Sequence, residues 1–546
     1  MSEVAGAPRR TALLPVRIEP QRTALLPVRI DQLLGRGEPD RPALTYKSQT
    51  LTYRELSERV ARFAAGLHRL GIRRGDRVAV YAEKRIETVV ALLATSAAGA
   101  VFVPVNPLFK VRHLTRLLAD CAARAVVTTA ERAEVVRESL AANTAVEHVL
   151  IIGDPGKSRL PGGPWQVSGW DRVADAEPVP VPDGQAIIDD DIAAILYTSG
   201  STGGPKGVVL THRNLLAGAA SVAGYLGHTS DDVVLSVLPI SFDAGLSQLT
   251  TSFIAGAHVV LMNYVLPREV VRLCAEHQVT ALTCVPPLWL QLAGLTWPEE
   301  SVANLRYFAN TGGRMPIVTL GVLRKLYPHA EPYLMYGLTE AFRSTYLEPA
   351  EADRRPDSIG KAIPNAEVLV VRPDGSLCDP GEHGELVHRG ALVALGYWND
   401  PERTAERFKP APGASSSTAR PEIAVWSGDT AYCDEDGYLY FVGRSDDMIK
   451  TSGYRVSPTE IEEAAYATGL VGEVVALGIG DERLGQHIVL MVKSAACDVT
   501  HEGLVRALAQ DLPKYMLPQR TQILPELPRS MNGKFDRVEL RRMESR

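Results

Sequence analysis

Apolar positions between Tyr53 and Leu70 return at helical spacing, with Leu56, Val60, Phe63, Ala64 and Leu67 on one face. The pattern predicts an amphipathic helix. Short apolar runs of strand character alternate with such stretches, at Val78 to Tyr81, Ala125 to Thr128, Val233 to Leu238, Val259 to Met262 and Ala281 to Val285. Helix and strand taking turns is the rhythm of an α/β fold. From Val89 to Val105 the chain is nearly uncharged, but Gly99 and Pro104 interrupt it and it falls short of the ~20 residues of a spanning helix. A buried helix running into a buried strand is predicted there.

Asp374-Gly375 and Asp436-Gly437 sit between strand-like runs as hairpin turns, and the small, polar run Ala411 to Thr418 reads as a surface loop. After Gly443-Arg444 the chain has a compact pattern of its own, with a helix at Pro458 to Ala467 and a strand at Val474 to Gly478. At the start, Arg10 to Ile18 (RTALLPVRI) recurs unchanged as Arg22 to Ile30. Two copies are too few for a solenoid, and no function attaches to them. Three parts are expected: an extension over 1–30, a large region over 31–443 and a small domain over 444–546.

Composition narrows the class. A chain of 546 residues with 45% hydrophobic content can form roughly three or four structural units. Its formal charge of -6, from 58 Lys plus Arg against 64 Asp plus Glu, gives no electrostatic case for nucleic acid. The six cysteines (Cys121, Cys274, Cys284, Cys378, Cys433, Cys497) contain no CxxC pair, which argues against a zinc site or disulfide framework and fits a reducing compartment. Arg9 and Arg10 precede a short apolar run that Arg17 and Glu19 cut off, too short for an export signal. A cytoplasmic location is expected.

The segment most informative about chemistry is Tyr197 to Val208, YTSGSTGGPKGV, after the apolar run Ile192 to Leu196. Its glycines let backbone approach a phosphate closely, Thr198, Ser199, Ser201 and Thr202 supply donors, and Lys206 supplies a point charge. A solvated Gly/Ser linker is the alternative for a shorter stretch, but not for this ordered one. The GxxxxGK[ST] order of a Walker A loop is absent, which weighs against a P-loop ATPase or kinase.

The segment resembles the phosphate loop of the adenylate-forming superfamily: acyl-CoA synthetases, firefly-type luciferases and the adenylation domains of nonribosomal peptide synthetases. The likeness continues through Tyr336-Gly337-Leu338-Thr339-Glu340, Trp426-Ser427-Gly428-Asp429, Gly443-Arg444-Ser445-Asp446-Asp447 and Pro528-Arg529-Ser530-Met531-Asn532-Gly533-Lys534, in the family's order. Ser427 and Asn532 are mild departures. The resemblance implies large N-terminal layered α/β sheets with a β-barrel-like subdomain, and a small, mobile α+β C-terminal domain.

It also implies roles. ATP would lie against Thr198, Ser199, Gly200, Ser201, Thr202, Gly203, Gly204, Lys206, Gly312, Gly313, Tyr336, Gly337 and Thr339, with its ribose on Asp429 and Arg444. Glu340 would hold Mg²⁺. Lys534 would be the catalytic lysine, Asp446 the hinge and Gly453 part of the thiol tunnel. The expected reaction is activation of a small carboxylic acid as acyl-AMP, followed by transfer to the thiol of coenzyme A or of a carrier protein's phosphopantetheine. No carrier segment follows Arg546, so a carrier is expected to be a separate protein. By the same likeness the acid pocket is lined by Asp243, Ala244, Ser247, Cys284, Ala309, Thr311, Met335, Arg343 and Ser344. Thr339 to Leu347 (TEAFRSTYL) is also similar to bacterial ligases associated with exosortase gene clusters.

In Ile240-Ser241-Phe242-Asp243-Ala244-Gly245 the Phe-Asp pair is similar to amino-acid-activating domains, where the aspartate meets the substrate's ammonium. A carboxylate in an apolar run is costly without a cation, so an amino-acid-like substrate with a distal acceptor for Arg343 is one expectation. The others remain open: Asp243 as a helix N-cap, Arg343 in solvent, and a fatty or aromatic acid as substrate.

Overall fold

The computed structural model describes residues 27–141, 145–158, 160, 163–177, 186–199, 205–413, 421–444, 447–451, 454–481, 485–495, 499–512, 514–530 and 533–544. The first RTALLPVRI copy and most of the second fall outside these residues. Ile30, which closes the second copy, is buried in the core.

The predicted helix is Tyr53–Arg69. Thr52 Oγ1 accepts the Glu55 N–H at 3.2 Å, and the Glu55 carboxylate accepts the Thr52 N–H at 2.8 Å. This reciprocal cap satisfies two end donors and is worth ~1 kcal/mol. The face carrying Leu56, Val60, Phe63, Ala64 and Leu67 is buried. The uncharged stretch that followed is the helix Ile86–Ala97 and the fully buried strand Val101–Pro104, as its length required.

Among the described residues the strands form four sheets. The nine-stranded sheet has a parallel centre made of Glu331–Tyr336, Tyr307–Asn310, Ala281–Cys284, Val233–Ser236, His258–Leu261 and Pro42–Tyr46. The eight-stranded sheet carries the hairpin Ile192–Ser199 and Pro205–Thr211 beside a parallel run that ends at Gln166–Gly169. Apolar residues of both sheets and of the helices Tyr53–Arg69, Ile86–Ala97, His212–Tyr225 and Asp243–Ala255 share one core. Further helices cover the outer faces, giving a layered α/β region. The expected barrel-like subdomain is a five-stranded sheet built on Ala366–Val371, Gly384–Gly390 and Ile423–Cys433. The fourth sheet belongs to the C-terminal domain, with the helix Pro458–Ala467 packed on Val471–Asp481.

This topology gathers the carboxyl ends of the parallel strands, where open α/β sheets leave a crevice. The segments after Val233–Ser236, Ala281–Cys284, Tyr307–Asn310 and Glu331–Tyr336 all leave from that edge. No described helix is long and apolar enough to cross a membrane. Cys121, Cys274, Cys284, Cys378 and Cys433 are free thiols.

Candidate active site

The phosphate segment is a hairpin. Thr198 pairs with Lys206, and Tyr197 with Gly207. Gly200, Ser201, Thr202, Gly203 and Gly204, which link these strands in sequence, lie outside the described residues, as do Asp446 and Gly453. A Cβ on Gly207 would stand 2.7 Å from the Ile195 side chain and 3.1 Å from the Tyr197 ring, so glycine is required where the two strands meet.

Lys206 stands with its ammonium 5.2 Å from the centre of the Tyr397 ring. The Tyr397 hydroxyl donates to Glu340 Oε1 at 2.6 Å. Loss of solvation draws the Lys206 ammonium below its ordinary range, Arg403 and Arg407 push the same way, and Glu340 and Asp400 oppose them. The second Glu340 oxygen is not used in that hydrogen bond and could meet a cation. One carboxylate completed by phosphate oxygens and water is how Mg²⁺ is usually held, and no described cluster of three acidic, His or Cys ligands exists. The residues therefore fit Mg²⁺ arriving with a nucleotide. Lys206→Ala is expected to slow ATP–pyrophosphate exchange by about 10²-fold, and Glu340→Gln to slow it while raising the Mg²⁺ concentration needed. An unaltered Mg²⁺ titration for Glu340→Gln would show that the nucleotide and water hold the metal alone.

Asp429 lies within Ile423–Cys433 and is buried. The Tyr336 hydroxyl donates to its Oδ2 at 2.5 Å, and Arg444 Nη1 stands 3.6 Å from Oδ1. Ser427, one of the two mild departures from the family's motifs, accepts the Asp429 N–H at 3.1 Å and donates to the Leu386 carbonyl at 2.6 Å. A hydroxyl is all this position uses, so serine serves.

Lys534 comes from the C-terminal domain on a tight turn. The Ser530 N–H donates to the Lys534 carbonyl at 2.7 Å, and the Gly533 N–H to the Ser530 carbonyl at 2.9 Å. Arg529 braces the turn by donating to Glu473 Oε1 at 2.7 Å and lying over the Phe535 ring. The lysine reaches across to the large region: a Cβ on Gly312 would stand 3.1 Å from Lys534 Cε and 3.7 Å from Nζ. Lys534 is solvent-accessible, yet the cleft's walls cost it solvation and draw its ammonium below the ordinary range, against the pull of Asp243 and Asp429. A second contact joins the two parts, where Glu463 accepts the Ile317 N–H at 3.4 Å and faces Arg314 Nε at 3.6 Å.

The region predicted as the acid pocket differs from the expectations in three places. Asp243 is not the helix cap, because Phe242 holds that position and Asp243 begins Asp243–Ala255. Its Oδ2 instead accepts from Arg343 Nη1 at 3.3 Å. Arg343 is not in solvent either, being 4% exposed. Cys284 faces away: Leu282 and Cys284 join the cluster on the far side of the sheet, while Thr283 points into the pocket. Side chains alternate along a strand, so one step in sequence changes the face.

Ala244, Ser247, Met335 and Arg343 line the pocket, and Ala309 packs beside Met335. Thr311 and Ser344 are buried nearby in sequence without lining it, and Ser344 Oγ has no partner among the described residues.

Gln248, Thr251, Thr283, Tyr307 and His228, with the apolar Val222, Leu226 and Val234, complete the wall and escaped the sequence reading. For two of them a signal existed, since Ala244, Gln248 and Thr251 follow the i, i+4, i+7 spacing of one helix face. Lys84 had none. Its buried ammonium donates to the Ser236 carbonyl and, at 3.0 Å, to the Leu238 carbonyl, fixing the chain just before the acid segment. The cavity between these walls measures ≈ 20 Å³, about the space of one water.

Comparison with known proteins agrees with this geometry. The AMP-binding enzyme family matches residues 34–398, and the AMP-binding enzyme C-terminal domain matches residues 460–534. A long-chain-fatty-acid–CoA ligase of Salmonella typhimurium is 31% identical over 536 residues, covering 92% of this chain and 91% of the ligase. A delta-poly-L-ornithine synthetase of Acinetobacter baumannii is 32% identical over 511 residues, 92% of this chain but 35% of that protein. Among solved structures, ATP-bound MatB from Rhodopseudomonas palustris superposes with a TM-score of 0.82 at 27% identity, covering 94% of this chain and 98% of MatB.

Proposed function

The chain belongs to the AMP-binding enzyme family of AMP-forming ligases, and on that premise we propose that it activates a small, polar, amino-acid-like carboxylic acid and passes it to a pantetheine thiol. The observation that carries the reading is Lys534, brought from the second domain to Gly312 and within electrostatic reach of Asp429 and Asp243.

A carboxylate is a poor acyl donor because its leaving group would be oxide. Its attack on the α-phosphate of ATP, with loss of pyrophosphate, exchanges that oxygen for AMP. Negative charge then gathers on the phosphate oxygens, where fixed cations stabilise it most. Lys534 and Lys206 are those cations. Mg²⁺ on Glu340 adds positive charge when bound. No general base is needed, since the acid is ionised near neutral pH. Asp429 and Arg444 hold the ribose, and Thr339 meets the adenylate phosphate.

The thiol attacks the acyl carbonyl in a second step that expels AMP, and Lys534 must leave to let it in. We assign the swing to Asp446 as pivot and the thiol passage to Gly453. The acceptor is a separate carrier protein's phosphopantetheine or coenzyme A. A relative that shares nearly its whole length with this chain is named as a CoA ligase, which supports the second.

Two features support a polar acid. The cavity wall carries Ser247, Gln248, Thr251 and Thr283 beside its apolar residues, and Arg343 on that wall pairs with Asp243. Arg343 Nε is buried and has no partner among the described residues, so a substrate acceptor there would satisfy a costly orphan donor. ATP–pyrophosphate exchange over a panel of amino acids, dicarboxylates, fatty acids and aryl acids tests the reading. Exchange with a small amino or acidic substrate is expected. Robust exchange with plain fatty or aromatic acids and none with these would overturn it.

A further inference from the structure

Between Glu340 and Arg343 the backbone makes a turn that an aromatic residue rarely enters. Phe342 has φ 56° and ψ −50°, and the Arg343 N–H donates to the Ala341 carbonyl at 2.6 Å. A hydrogen bond across a single residue with positive φ is a γ-turn of the strained kind. Side chains with a Cβ resist it, and such strain persists only where the surroundings over-determine it.

The surroundings here are specific. The Phe342 ring is fully buried and fills a notch in the helix His212–Tyr225 opened by Gly218. A Cβ on Gly218 would stand 2.5 Å from Phe342 Cδ1 and 2.8 Å from Cε1, with Leu392 closing the side. Gly337 clears the other flank, since a Cβ there would lie 3.2 Å from the Arg343 Cα. The turn sends neighbouring residues opposite ways. Glu340 faces Tyr397 on the nucleotide side, whereas Arg343 enters the acid pocket and meets Asp243. After it the chain returns as Thr345–Leu347, antiparallel to Glu331–Tyr336.

We propose that the Phe342 turn, locked by its ring in the Gly218 notch, holds Arg343 inside the acid pocket, so that Phe342 and Gly218 are positioning residues for acid selection. The selection part rests on the function proposed above; the placement of Arg343 does not. Neither residue lies on the wall of the pocket, so a change at either reaches it through a neighbour. Phe342, which adjoins the arginine and shares no element with the rest of the wall, isolates the effect on Arg343 better than Gly218, whose helix also carries the lining residue Val222. A pocket without the lock would lose its buried guanidinium and accept acids without regard to a distal acceptor.

The experiment uses the full-length enzyme with Gly218→Ala, which crowds the notch, and Phe342→Gly, which relaxes the turn and removes the ring without crowding anything. Phenylglyoxal labelling, mapped to Arg343 by mass spectrometry, reads its placement without any substrate. Arg343 should be shielded in the parent and labelled about tenfold faster in both variants, which corresponds to ~1.4 kcal/mol of lost positioning. The acid KM should rise by a similar factor and the ranking of acids flatten, with the ATP KM unchanged. Shielding retained in both variants overturns the proposal, and so does an ATP KM that rises in step with the acid KM, the mark of general damage. If the parent exchanges pyrophosphate with no acid at all, the proposed function fails while the labelling still decides where the lock holds Arg343.

Discussion

Lys534→Ala is expected to slow ATP–pyrophosphate exchange by about 10²- to 10³-fold, the usual loss when one fixed electrostatic stabiliser of a developing oxyanion is removed, while leaving thioester formation from supplied acyl-adenylate near its parent rate. The two half-reactions ask for different things of the same cleft. Adenylate formation pushes a carboxylate against a polyanion, and the Lys534 ammonium stands across from Gly312 where a cation is needed. Thioester formation needs an open line to the acyl carbonyl, and a lysine in that place only obstructs. Gly453→Leu is the mirror experiment, with the thiol step blocked and pyrophosphate exchange spared. The comparison is direct: exchange kinetics with acid and ATP against thioester release from synthetic acyl-adenylate, for each variant. Equal slowing of both steps by Lys534→Ala would refute a domain swing.

The motifs proposed for the nucleotide side stand out in the sequence because each is a short local string, although the structure joins them over long separations, as at Tyr336 and Asp429. Tyr336, Thr339 and Glu340 follow one strand end, and Asp429 sits two residues from the serine that orients it. Such groups announce themselves by order alone. The acid side was legible only in part, because its decisive contacts are long-range. Asp243 and Arg343 lie 100 positions apart, and Lys84 meets the carbonyl of a residue 152 positions away. Cys284 was misplaced by one position, since strand residues alternate faces and nothing in TCV fixes which one turns inward. Phe342 gave no warning at all. Positive φ is foretold by glycine or asparagine, and an aromatic ring adopts it only because a glycine in a distant helix leaves room.

The ion pair in the pocket leads to the second large effect. Asp243→Ala should destabilise the fold by ~3–5 kcal/mol, the usual cost of leaving a buried charge without its partner. Arg343 would then keep a full charge at 5% side-chain exposure with its ion-pair partner gone. Removing both, in Asp243→Ala/Arg343→Ala, should recover most of that loss, because a neutral pocket has no charge to strand. Denaturant titration of the parent, both single variants and the double variant measures the coupling. Catalysis should separate the two residues. Asp243→Ala is expected to lower kcat/KM for an amino substrate by about 10- to 150-fold, the worth of a charge-assisted hydrogen bond, and to narrow the gap to the deaminated acid. Arg343→Ala should do the same for the distal acceptor and leave the amino preference in place. In the parent the pair neutralises itself, so on the proposed reading a substrate that separates the two must bring both an ammonium for Asp243 and an acceptor for Arg343 to leave neither charge short. An acid offering one of the two strands the other group, and a site of this kind discriminates more sharply than an apolar one. If all three variants keep the parent's ranking of acids, the pair is a structural brace under the pocket and the acid is chosen elsewhere.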